Sequence, residues 1–364
     1  MKRYLLPLIW ILGLSARAQD RLQPGFNGKE YAGLLSLAFY GSGIPDSAQR
    51  AQTADPYRLL YQSPERGLLN RWSLYLRNDG VGVIELRGTV NQVPSWLENF
   101  YAAMVPATGS LELDDHTVFR YQLASDPRAM VHAGWTTGLA FLAPDIEAHV
   151  DSLCRQGHVR EFLIFGHSQG GALAFLVRSY LAYEIRNGHL PDSLRFKTYC
   201  SAAPKPGNLY YAYDYDFLTR GGWGLTVVNA ADWVPESPFS LQTLRDFNTP
   251  NPFLHVKSIL KKQRLLARAY LSMAYRRLDR RSRKAERTFR KYLGYGVYRQ
   301  VRRTLPGIKQ PDFAEGGNFM RAGIPIVLQP DETYRRLFPD SPERVFIHHQ
   351  FEAYYQLVKT YYPW

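Results

Sequence analysis

The run Glu161-Phe162-Leu163-Ile164-Phe165-Gly166-His167-Ser168-Gln169-Gly170-Gly171-Ala172-Leu173-Ala174 places one serine between positions that carry almost no side chain. Phe162 to Phe165 reads as a buried strand and Ala172 to Leu181 as an apolar helix, so Gly-x-Ser-x-Gly falls on a sharp strand-to-helix turn. A hydroxyl on such a turn stands clear of the sheet, and a helix N-terminus points at it. That geometry suits a nucleophile. A bare Gly/Ser loop without the flanking strand and helix would carry no such implication.

A serine nucleophile needs a base within hydrogen-bond reach, a carboxylate that orients the base, and N–H donors for the developing oxyanion. In an α/β-hydrolase these arrive in the order Ser, acid, His. Asp232 follows the apolar run Leu225 to Ala230 and precedes Trp233-Val234-Pro235, which places it at the C-terminal end of a strand. Asp214 and Asp216, in the Tyr-rich segment Tyr210 to Phe217, read instead as a solvated helix face. Of the histidines beyond Asp232, His255 opens a basic stretch and reads as a packing or surface residue. His348 and His349 both remain candidates for the base, with His349 preferred because a helix starts directly after it. His132 and His167 precede the acid and are expected to pack around the nucleophile turn. The expected oxyanion donors are the backbone N–H of Gln169 and that of Thr89, whose hydroxyl could add a further bond. No cofactor or metal is called for.

These residues need a scaffold. Gly28 to Tyr40 has apolar residues at helical spacing; Trp72 to Arg77 alternates and turns at Asn78-Asp79-Gly80 into the apolar run Val81 to Leu86. Thr117 to Leu123 predicts another strand, Val131 to Arg155 a long helix, Phe196 to Ala203 and Leu225 to Ala230 two more strands, and Gln350 to Tyr361 a closing helix. Strands alternating with helices predict an α/β fold whose mostly parallel central sheet is covered by helices on both faces.

At 364 residues and 45 % hydrophobic content the chain can build a large core, so disorder is not expected. The formal charge of +13 invites a nucleic-acid partner until it is located. Lys257 to Arg303 holds 17 Lys and Arg against Asp279 and Glu286, a local +15 that leaves the rest of the chain at −2. The basicity is a helical insertion, residues 255–305, and no nucleic-acid-reading module accompanies it. Ile259, Leu266, Tyr270 and Met273 recur at helical spacing there, a basic amphipathic helix that fits an anionic membrane surface through residues 257–303 or, alternatively, a lid beside the domain. The stripe fades at Asp279 to Lys284, and a second short helix is expected from Ala285 to Leu293.

Lys2-Arg3, the apolar run Tyr4 to Leu14 and Ala16-Arg17-Ala18 read as a signal peptide over residues 1–18, with one domain over 19–364. Export is the expectation, to the periplasm, the outer surface or the medium. Cys154 and Cys200 read as small buried residues, with a disulfide left open. Nothing in the sequence bears on oligomeric state.

Taken together, Arg87-Gly88-Thr89 with Trp96 to Asn99, Val131 to Trp135, Gly166 to Ala172, Ala203 to Asn208, Val228 to Pro235 and His349 to Tyr354 resemble the fungal-type, or class 3, lipases of the α/β-hydrolase superfamily. The resemblance covers roughly residues 80 to 240 and a short C-terminal piece. It implies Ser168 as nucleophile, Asp232 as acid, His349 as base and Thr89 with Gln169 at the oxyanion hole, acting on lipid esters such as acyl glycerols or phospholipids. Gln169 stands where the family usually has leucine, Trp135 where it has phenylalanine, and the stretch between Asp232 and His349 is longer than is typical. A catalytically inactive protein that keeps the fold as a membrane-surface scaffold is the competing expectation.

Overall fold

The computed structural model describes residues 21–41, 56–249, 251–253 and 256–364. The leader over 1–18 and His255 lie outside them. The central sheet has seven strands, β1 (Tyr57–Gln62), β2 (Trp72–Arg77), β3 (Gly82–Leu86), β4 (Glu161–His167), β5 (Arg195–Ser201), β6 (Gly224–Asn229) and β7 (Ile324–Leu328), adjacent in space in the order in which they occur in the chain. β1 to β3 form an antiparallel meander, and β3 to β7 run parallel. Parallel neighbours need crossovers, and helices supply them. In chain order the helices are α1 (Gly28–Gly41), α2 (Val93–Phe100), α3 (Ala133–Arg155), α4 (Gln169–Arg186), α5 (Leu209–Leu218), α6 (Val256–Lys261), α7 (Leu265–Arg290), α8 (Val297–Thr304), α9 (Glu332–Leu337) and α10 (Phe351–Tyr361).

β4 shows why both faces must be covered. Phe162 and Ile164 point into a core shared with α3 and α4, whereas Leu163 and Phe165 point into a second core shared with α1 and α10. All four are fully buried, which at roughly 1.5–3 kcal/mol each makes this strand a main source of stability. A strand buried on both sides reads as a continuous apolar run, as this one does. The result is the α/β-hydrolase architecture, with a mostly parallel sheet between helical layers.

Three local expectations change. The strand expected at 117–123 is Val118–Gln122, and it pairs only with Thr108–Glu112, away from the central sheet. Asp114 Oδ1 accepts from the N–H groups of His116 and Thr117, tying the turn that folds this hairpin on itself. The segment from Val131 begins as a short strand, Met130–His132, before α3 starts. In the basic stretch, α7 runs unbroken through Asp279 to Lys284, where a break was expected. Arg280, Arg281, Arg283 and Lys284 are good helix formers, and Arg283 pairs with Asp279 one turn away. A π-turn, Lys291–Gly296, then links α7 to α8.

Candidate active site

The turn after β4 is dictated by close packing. A Cβ on Gly166 would lie 2.0 Å from Gly170 O, and one on Gly170 would lie 2.0 Å from Leu86 O. No other residue type fits at either flank. Between them Ser168 adopts φ 61° and ψ −128°, a left-handed conformation that costs a β-carbon-bearing residue on the order of 1–3 kcal/mol. The surroundings hold it there: Ser168 N donates to Ser201 O at 2.9 Å, and Ala172 N to Ser168 O at 3.1 Å.

Asp232 and His349 come together from opposite sides of the basic insertion. Asp232 sits just beyond β6, its carboxylate fully buried, and Oδ1 accepts from Val234 N at 3.0 Å. Oδ2 accepts from His349 Nδ1 at 2.7 Å and from the Tyr354 hydroxyl at 2.8 Å. Carboxylate bonding at Nδ1 leaves His349 Nε2 as the basic nitrogen. His349 closes a 3-10 turn, Ile347–His349, just before α10. Its neighbour His348 faces elsewhere, Nδ1 meeting the Tyr334 hydroxyl at 2.8 Å and Nε2 donating to Asp340 Oδ1 at 2.8 Å. Asp214 accepts from Ser125 and Tyr183, and Asp216 from Gly323 N, both apart from His349.

His167 supports this arrangement from beneath. Its Nε2 donates to His349 O at 2.8 Å, so its Nδ1, 2.9 Å from Ser201 Oγ, must accept. Burial drives its pKa down to about 3, with His349 nearby adding to the effect, and it remains the neutral tautomer these contacts require. His132 lies further off than the nucleophile turn. It caps α3 by accepting from Trp135 N and donates from Nε2 to Asn99 O, held neutral by burial with a pKa of about 3.

Thr89 follows β3 and lies across from Gln169. Its hydroxyl donates to Gln169 Oε1 at 2.9 Å and accepts from Asn99 Nδ2 at 2.9 Å. The proton expected to help an oxyanion is therefore used elsewhere, and the free donors left are backbone N–H groups. That of Gln169 opens α4, where the first helical N–H groups have no partner in the helix.

Ser168, His349, Thr89 and Gln169 line one cavity of about 820 Å³. Its other walls are mostly apolar, including Trp96 and Phe100 from α2, Trp233, Phe346, and Phe289 and Leu293 from the basic insertion. The insertion thus contributes cavity wall at its C-terminal end. At the other end of α7, Leu265, Leu266 and Tyr270 are 66–85 % exposed. Among the described residues no group of three or more His, Cys, Asp or Glu could hold a metal ion. Cys154 and Cys200 are buried and unbonded.

Residues 83–242, somewhat under half of the chain, match the model of the class 3 lipase family. Over this segment the chain is similar to the class 3 lipases. No curated protein matches it by sequence. Solved structures similar to it include the native Rhizomucor miehei lipase propeptide complex, 19 % identical over 58 % of this chain and 63 % of that one, with a TM-score of 0.42. The lipase of Rhizopus microsporus var. chinensis is 21 % identical over 58 % and 68 %, with a TM-score of 0.40. Lipase II of Rhizopus niveus is 21 % identical over 58 % and 74 %, also at 0.40. The chain spans less than two thirds of the Rhizomucor complex chain, and these are likenesses of fold over part of each protein. The basic insertion between β6 and β7 lies wholly beyond the matched residues.

Several residues of the site escaped sequence reasoning. Tyr354 stood inside a recognised motif without a role, and only its place one turn into α10 brings its hydroxyl to Asp232. Glu98 likewise stood inside the Trp96 to Asn99 motif without a role, while Ser201 and Asn70 carry no motif; folding alone sets Ser201 against His167, Asn70 against Gln169 and Glu98 against Asn70.

Proposed function

We propose that this chain is a lipase of the class 3 type, a serine carboxylic-ester hydrolase acting on lipid esters, either acyl glycerols or phospholipids. The observation that carries the reading is the His349 Nδ1 to Asp232 Oδ2 bond, with His349 lining the same cavity as Ser168. In this reading His349 Nε2 takes the Ser168 proton as Oγ attacks the ester carbonyl carbon. The carbonyl oxygen becomes an oxyanion held by the backbone N–H groups of Thr89 and Gln169, and Asp232 steadies the imidazolium. Collapse expels the alcohol, which leaves with the proton from His349 Nε2. Water, deprotonated by His349, then cleaves the acyl-Ser168 ester and releases the fatty acid. The mostly apolar walls suit an acyl chain, and no metal or cofactor enters the scheme.

We further propose that residues 19–364 act as one hydrolase unit exported by the leader, and that the insertion attaches it to anionic lipid. Its local +15 and the exposed Leu265, Leu266 and Tyr270 both favour such a surface. A scaffold that binds lipid without catalysis would use the same helix but not the serine. Fluorophosphonate labelling separates the two, because only an activated serine reacts. Wild type should be modified and Ser168→Ala should not; an unlabelled wild type beside a labelled control lipase would remove the enzyme reading.

A further inference from the structure

A buried carboxyl that the mechanism does not use lies at the end of a hydrogen-bond relay from the oxyanion residues. Asn99 Nδ2 donates to Thr89 Oγ1, which donates to Gln169 Oε1. Gln169 Nε2 donates to Asn70 Oδ1 at 3.2 Å, and Asn70 Nδ2 donates to Glu98 Oε2 at 2.5 Å. Every link donates towards Glu98, so the direction of the whole relay depends on an acceptor at that position. Glu98 and Gln169 are 0 % and 2 % exposed, and Asn70 is equally enclosed at 2 %. The links from Gln169 through Asn70 to Glu98, sealed from water, have no solvent to repair a missing member.

We propose that Glu98 is a positioning residue for the oxyanion hole: through Asn70 it orients the Gln169 carboxamide, and through Gln169 it sets the Thr89 hydroxyl and the loop bearing the Thr89 N–H. The inference rests on the ester-hydrolase reading of the same site. The groups facing Glu98 are amides, Asn70 from the loop before β2 and Gln169 at the start of α4. On the α3 side Gly138 packs so closely that a Cβ there would lie 2.4 Å from Glu98 Oε1. His132, bonded to the neighbouring Asn99 carbonyl, stays neutral. No charged side chain offsets the burial, which pushes the Glu98 carboxyl up to about 8 although the amides of Asn70 and Gln169 draw it down in part.

The sign follows. Below that value the carboxyl is neutral and accepts at Oε2; above it a buried negative charge appears close to where the transition state places its own. The full chain, assayed on p-nitrophenyl butyrate from pH 6 to 10, should lose kcat by about tenfold above pH 8 with KM within about twofold. Glu98→Ala should lower kcat about tenfold at pH 7. Glu98→Gln, which keeps an acceptor but cannot ionise, should restore part of that loss and remove the alkaline fall. Gln169→Leu keeps the backbone donor and cuts the relay, so it too should lose the alkaline fall, which covers the case in which Glu98 variants fail to fold. Wild type without hydrolysis overturns this proposal together with the enzyme reading. Hydrolysis with an alkaline fall shared by Glu98→Gln and Gln169→Leu overturns this proposal alone.

Discussion

At the scale of residues, two adjacent histidines with one chemistry are separated by what they touch. His349 donates to a buried carboxylate and faces the cavity, while His348 is held between Tyr334 and an exposed Asp340. Replacing His349 with Ala should cost at least about a thousandfold in kcat on a p-nitrophenyl ester. His348→Ala should cost at most a few-fold, and comparable losses in the two variants would reassign the base. Tyr354 shares Asp232 Oδ2 with His349, so the carboxylate has two donors on one oxygen and a backbone N–H on the other. Three donors fix the orientation of this buried carboxylate, as a partner that steadies an imidazole requires.

At the scale of elements, the turn around Ser168 is a contact among three backbones, those of β3, β4 and α4. Gly170 is the point of closest approach, and a methyl group there would overlap Leu86 O at the end of β3. Gly170→Ala should therefore push α4 away from β3, destabilise the fold by about 1–3 kcal/mol or more, and reduce fluorophosphonate labelling at pH 7. Denaturant unfolding and the labelling rate measured together test this. A variant as stable and as reactive as wild type would show that the turn tolerates what its geometry forbids. α2 belongs to the same unit: Asn99 and Ser95 meet Thr89 and Val90 N, so the helix flanking the cavity is bonded to the loop that would bind the oxyanion.

At the scale of the molecule, the excess positive charge and a run of exposed apolar residues share one insertion whose far end joins the cavity wall. Phe289 is buried against Phe239 and Phe319, while the start of α7 stands free of the core. No described helix is long and apolar enough to cross a membrane. Vesicles containing anionic phospholipid should co-sediment the protein at low salt and release most of it at about 1 M salt, where screening shortens the Debye length to about 3 Å. Leu265→Asp with Leu266→Asp should weaken binding at both salt concentrations. Equal binding to neutral and anionic vesicles would argue against the insertion as an electrostatic anchor.

The sequence by itself determined what is local and what is repetitive. Alternating strands and helices carried the α/β-hydrolase layering, and the glycines around Ser168 carried the strained turn, because both follow from backbone sterics and side-chain periodicity within a few residues. Asp232 was legible because it ends a strand run. Tertiary structure decided whatever depends on approach across long stretches of chain. His349 and Asp232 are brought together across an intervening helical insertion, the Thr89 hydroxyl is spent on Gln169, and Glu98 is buried at the end of a relay whose members lie on four separate elements. The continuity of α7 through its most basic segment was also decided there. Polarity predicted a break, but ion pairs within the helix and to Arg245, together with the burial of Phe289, keep the helix intact to Arg290.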